Sequence, residues 1–121
     1  MKIRIKGNSV RYRLTKTEVE TFCKEGFYKE ETVFDNSTLS YIIKTKEGIT
    51  ELEATYTDNS ITIFVPKQAI ENWASNSQVG FKNSADWNDE SALSLLVEKD
   101  FICMDSTLED QSDNYPNPRL Q

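Results

Sequence analysis

Histidine is absent from this chain. That removes the commonest general base and the commonest metal ligand together, and with them Ser-His-Asp and Cys-His hydrolases, zincins and two-histidine iron sites. Cysteine is scarce: Cys23 and Cys103 are too few for a disulfide framework and do not form a metal knuckle. Long apolar runs are missing as well. The opening Met1-Lys2-Ile3-Arg4-Ile5-Lys6 alternates charged and apolar residues, so it lacks the apolar core of a secretory leader, and no later run approaches the ~20 residues of a membrane helix. The expectation is a cytoplasmic protein with no metal, no cofactor and no membrane partner.

What the chain has is enough for one core. Its 121 residues are 37% hydrophobic, 28% charged and 11% aromatic. At that length folding buries roughly two-thirds of the surface an unfolded chain exposes. Periodicity then sets the class. Ile3 and Ile5 alternate with Lys2, Arg4 and Lys6, and Val10, Tyr12 and Leu14 alternate with Arg11 and Arg13, giving two half-buried strands around Gly7-Asn8. Thr15-Lys16-Thr17-Glu18 reads as a capping box and Gly26 as a helix stop, which predicts a helix from about Lys16 to Glu25 with Val19, Phe22 and Cys23 inward. Period two returns over 27–34, 38–45, 49–57 and 60–65, with short polar turns between. Links this short predict an antiparallel meander. Leu39, Tyr41, Ile43, Leu52, Ala54, Tyr56, Ile61, Ile63 and Val65 are its inward candidates. Pro66 is expected to open a second helix over 66–74, with Ala69, Ile70 and Trp73 on its buried side. Val79 and Phe81 suggest a short strand; Leu93, Leu95, Val97 and Phe101 suggest another. The fold expected is therefore α+β: an antiparallel sheet of about six to seven strands flanked by two short helices. Residues 1–104 would form the domain, and 105–121 an acidic, irregular C-terminal segment.

Charge is unevenly spread. The chain carries a net −6, yet its first 17 residues hold six basic side chains and no acid, whereas residues 86–113 hold nine acids against Lys99 alone. Lys2, Arg4 and Lys6 share one strand face, and Arg11 and Arg13 share one on the next. Side by side they make a basic plane suited to a phosphate or carboxylate. Arg4, Lys6, Arg11 and Arg13 are accordingly the candidate ligand-binding residues. The ordinary alternative is a solvated face paired across strands with Glu30, Glu31, Glu51 or Glu53. Nucleic acid is disfavoured as a partner by the net negative charge; a small anion or a protein remains.

Three other groupings carry less. Glu51 and Glu53 project from one strand face about 6.5–7 Å apart, a spacing that overlaps paired glycosidase carboxylates, but sheet faces are full of such pairs. Asp86-Trp87-Asn88-Asp89-Glu90 lacks the spacing of a calcium loop and reads as a loop anchored by its tryptophan. Asp100 and Asp105 flank Cys103 and oppose a thiolate there, while Cys23 lies on an apolar helix face, so both thiols read as structural. No catalytic set emerges, and a non-enzymatic binding or interaction domain is the leading reading; a small-anion-binding protein or enzyme using the basic strands is the alternative. The acidic tail, with Tyr115 as anchor, is expected to fold back so that Asp105, Glu109, Asp110 or Asp113 meets Arg4, Arg11 or Arg13.

The stretch Ile3-Arg4-Ile5-Lys6-Gly7-Asn8-Ser9-Val10-Arg11-Tyr12-Arg13-Leu14-Thr15 resembles the start of a small family of uncharacterised bacterial proteins. Glu98-Lys99-Asp100-Phe101-Ile102-Cys103 and Asp113-Asn114-Tyr115-Pro116-Asn117-Pro118 carry the same resemblance. It implies a single stand-alone domain and no particular activity.

Overall fold

Thr15 holds an extended backbone (φ −71°, ψ 172°), and its side chain accepts from the Glu18 N–H while the Glu18 carboxylate accepts from the Thr15 N–H. This reciprocal cap starts the helix where the sequence predicts it. Gly26, at φ 83°, stops it by donating its N–H to the Phe22 carbonyl, a conformation costly for any residue with a Cβ. Helix α1 thus runs Lys16–Glu25. The structure is a computed structural model, and it describes residues 1–85, 91–101 and 111–116.

The described residues form eight strands besides α1: β1 (Lys2–Lys6), β2 (Ser9–Leu14), β3 (Phe27–Val33), β4 (Thr38–Lys46), β5 (Glu53–Thr57), β6 (Ser60–Pro66), β7 (Gly80–Lys82) and β8 (Ser94–Lys99). They form two four-stranded sheets, β1-β2-β8-β7 and β3-β4-β6-β5, not one meander. Each sheet is a pair of antiparallel hairpins joined through a central parallel pair, β2 with β8 and β4 with β6. The short links mislead because β5 is itself the crossover. After β4 the chain passes over one strand position, lays β5 on the sheet edge, and turns at Asp58-Asn59 to insert β6 between them. Asp58 and Asn59 take φ of 52° and 60°, the positive pair that a tight hairpin turn requires.

The expected second helix is replaced by a 3₁₀ turn at Lys67–Ile70 followed by further turns. Pro66 ends β6 instead of entering a helix. The physical reason lies in the next residues. Ser75 Oγ bonds the Asn72 carbonyl at 3.3 Å and the Asn76 side chain accepts from the Gln78 N–H at 3.0 Å, so side chains compete for the backbone. Ile70 and Trp73 are buried all the same.

The sheets face each other across a core of Tyr12, Leu14, Leu95 and Val97 from one, and Ile43, Ile61, Ile63 and Val65 from the other. Val19 and Phe22 of α1 join it. Each fully buried side chain of this size contributes about 1.5–3 kcal/mol. Trp73 closes one side, edge-on to Phe22 at 6.4 Å and tilted on Phe81 at 4.9 Å, with its indole N–H donating to Gln78 O at 2.9 Å. The Tyr12 hydroxyl crosses the core to the Ile61 carbonyl at 2.9 Å, and burial raises its pKa above the ordinary phenol range. Of the inward candidates Tyr56 departs most, at 66% exposed, because β5 is an edge strand. Among the described residues no helix is long and apolar enough to cross a membrane.

Candidate functional site

Register places the predicted cations together. Arg4 lies opposite Arg11, Lys2 opposite Arg13 and Lys6 opposite Ser9, and residues opposite each other share a face. β8 continues the rows, with Leu96 beside Arg11 and Glu98 beside Arg13, and β7 adds Lys82 beside Leu96. Tyr12, Leu14 and Val97 occupy the other, buried face. The outer face therefore carries Lys2, Arg4, Lys6, Arg11, Arg13 and Lys82 against Glu98 and Asp100 of the same chain stretch.

Those two carboxylates neutralise one end. Glu98 Oε1 lies 2.8 Å from Arg13 Nε and 3.8 Å from Arg11 Nε, and Lys2 Nζ lies 3.0 Å from Asp100 Oδ2. That Lys2 contact compensates an otherwise unbonded, buried oxygen. At the opposite end, beside the Gly7-Asn8 turn, Arg4 and Lys6 are exposed and make no ion pair among the described residues. The acids offered by the ordinary alternative are engaged elsewhere. Glu30 meets the Met1 amino group and accepts from the Tyr41 hydroxyl; Glu31 pairs with Lys29 at 3.0 Å. Glu53 pairs with Lys46 at 3.1 Å, and Glu51 accepts from the Ser84 backbone N–H at 2.7 Å. Glu51 and Glu53 thus serve different neighbours and do not converge as an acid–base pair.

Cys23 is half-buried on α1 and lines a groove of about 860 Å³ with Thr45, Gln68 and Ile70. Burial pushes its thiol pKa up, against weaker opposing effects of the Ala74 backbone and Lys99, so the thiol form prevails. Cys103 and the run Asp86–Glu90 lie outside the described residues. Among those described, no group of three or more acidic or cysteine side chains is placed to hold a metal.

Lys99 escaped sequence reasoning. It holds the inward register of β8 after Leu95 and Val97 and is 3% exposed. Its Nζ donates to the Asn76 carbonyl at 2.7 Å and lies 5.7 Å from the Trp73 ring and 5.1 Å from the Tyr115 ring. Burial lowers its pKa. The signal was a lysine standing where the apolar alternation of Leu95, Val97 and Phe101 calls for a hydrophobe. A second missed cluster joins the Met1 amino group to Glu18 and Glu30. Although burial pushes the Glu18 carboxyl up, the Met1 amino group and the Thr15 N–H beside it hold it below its ordinary value. Burial, with Glu18 and Glu30 nearby, pushes the Tyr28 phenol to about 12.

The described part of the tail docks on α1. Lys16 N–H donates to the Asp113 carbonyl at 2.9 Å, and the Thr17 hydroxyl donates to the Asp113 carboxylate at 3.0 Å. An acid is favoured there by the helix dipole. Tyr115 is the anchor, bridged to Phe101, with its ring tilted against the Phe101 ring at 5.7 Å. Asp113 therefore takes its bonds at the helix start, away from the Arg4–Arg11 row; Asp105, Glu109 and Asp110 lie outside the described residues.

A family model described as a family of unknown function (DUF7009) matches residues 1–119. The chain belongs to that family. No curated protein and no solved structure matches it. The family membership agrees with the expectation of an uncharacterised single-domain family, and it assigns no activity.

Proposed function

We propose that the protein is a non-enzymatic binding domain that takes a small phosphate-type anion on the β1–β2 face, with Arg4, Lys6 and Arg11 as its principal contacts and Arg13 at the margin. One observation carries the reading. Arg4 stands directly opposite Arg11, a like-charge pair that disfavours the sheet, and no described carboxylate relieves Arg4 or Lys6. A bound anion would relieve it, through the forked hydrogen bonds that arginine makes with phosphate. The domain reading is supported by where the perturbed ionisable groups lie. Glu18, Lys99, Tyr28 and Tyr115 all join one element to another, and none faces the basic plane. In this reading residues 1–104 are the binding domain and 105–121 an acidic appendage. The free thiol of Cys23 suits the reducing cytoplasm of a bacterium.

Calorimetric titration of pyrophosphate at low ionic strength tests this. Saturable binding that weakens as salt is raised is expected, with the double variant Arg4→Gln/Lys6→Gln at least about tenfold weaker, a loss of about 1.4 kcal/mol. Absence of binding, or equal binding by that variant, would overturn the proposal.

A further inference from the structure

Four strands end the two sheets: β1 and β7 in one, β3 and β5 in the other. An unpaired edge offers a row of backbone donors and acceptors to another chain, and folded proteins blunt such edges with charge or brevity. β1 is guarded by Lys2, Arg4 and Lys6, which would meet their own charges in a second copy. β7 has three residues. β5 carries Glu53, Thr55 and Thr57 on its outer face, so self-pairing there sets Glu53 against a threonine. β3 is different: it is seven residues long, and beyond its ladder with β4 none of residues 28–33 makes a further backbone hydrogen bond among the described residues.

The outer face of β3 reads Phe27, Lys29, Glu31, Val33, and this series is complementary to itself when reversed. We infer that β3 pairs antiparallel with β3 of a second copy of this chain, about a two-fold axis at Glu30, joining two four-stranded sheets into one of eight strands. In that register Lys29 faces Glu31 of the second copy and Phe27 faces its Val33, twice each by symmetry. The apolar ends are open to such contact: Phe27 is 52% exposed and Val33 76%. Phe27 also rims a groove of about 400 Å³ on the same face, floored by Ile42 and Phe64, so the incoming Val33 extends an apolar strip already present. On the inner side the two Glu30 carboxylates meet at the axis, each already engaged by its own Met1 amino group and by the Tyr41 hydroxyl at 3.2 Å. Strand pairing with so few side chains buries less than the ~1,000 Å² typical of stable complexes, so the dimer is reversible and concentration-dependent. The inference is independent of the anion site, which lies on the other sheet.

Sedimentation velocity of the full chain over a concentration series decides it, with circular dichroism to confirm that each variant folds. The wild type should move from monomer toward dimer as concentration rises. Lys29→Glu and Glu31→Lys, each placing like charges opposite each other at both symmetric positions, should weaken association by at least about tenfold. The double variant Lys29→Glu/Glu31→Lys restores every opposite-charge contact and should associate like the wild type. A wild type that stays monomeric throughout overturns the inference. So does a dimer indifferent to the single charge reversals, which would have to form through another surface.

Discussion

The two sheets share one topology and differ in almost everything else. The β3-β4-β6-β5 sheet comes from a continuous stretch, residues 27–66, and most of the charge on its outer face is paired there: Glu31 holds Lys29 and Glu53 holds Lys46, with Lys44 left over among the described residues. The β1-β2-β8-β7 sheet is assembled from the two ends of the domain, and its outer face leaves Arg4 and Lys6 uncompensated among the described residues. One arrangement of strands thus supports a face whose charges are mostly paired within it and a face on which Arg4 and Lys6 make no ion pair among the described residues. That difference in charge pairing lies in the outward residues, since both inward faces feed the same core.

The largest predicted effect tests whether the sheets can be broken separately. A Cβ on Gly80 would stand 2.0 Å from the Val97 carbonyl oxygen and 2.7 Å from Glu98 Cα, both backbone atoms with no freedom to yield. Gly80→Ala should cost about 1–3 kcal/mol or more and expel β7. Hydrogen exchange should then show faster amides in β7 and β8 with β3–β6 protected; a uniform loss of protection would mean that the sheets fold as one unit.

A smaller effect is expected where the sheets touch. Tyr12→Phe keeps the ring but removes the hydroxyl that bonds Ile61 across the core, and should cost about 1 kcal/mol in denaturant unfolding. An unchanged midpoint would place the coupling between sheets in apolar packing alone.

The pH profile separates two regions further. Tyr28 of the second sheet and Tyr115 of the tail both have phenols pushed up to about 12, in each case chiefly by burial. Above about 10 an unfolded chain loses these protons while the folded one keeps them, so the unfolded state binds fewer protons and stability falls as pH rises. The stability that the two protonated phenols supply is whole below pH about 10 and lost by about 12. Tyr28→Phe and Tyr115→Phe should each flatten part of that decline, measured by urea unfolding across the window.

Legibility followed the same division. The capped helix was readable to the residue because Thr15, Glu18 and Gly26 act within one turn of the groups they satisfy. The strands of the second sheet were readable from alternation, and so was the shared face of Arg4 and Arg11. Strand order was not. The parallel meeting of β2 with β8 joins Ser9 to Ser94, and no local pattern encodes a contact across that separation. Lys99 was passed over because an alternating stripe is read through its apolar members, and the buried cation is stabilised by Trp73, Asn76 and Tyr115, which the chain supplies from elsewhere. The destination of Asp113 was misread for a related reason. Charge suggested the basic strands, but free N–H groups and a hydroxyl at the start of α1 offer an acid closer bonds.

The central claim is that the Arg4–Lys6 end of the basic face holds positive charge that no described residue neutralises. The stability of Arg4→Gln relative to wild type, followed by urea unfolding from low to high salt without ligand, tests it most directly. Removing one of two opposed arginines should stabilise the protein by about 0.2–1 kcal/mol at low ionic strength, and the gain should shrink as salt screens the repulsion. A variant that is instead less stable at low salt, with the deficit shrinking as salt rises, would show Arg4 in a favourable ion pair and contradict the account.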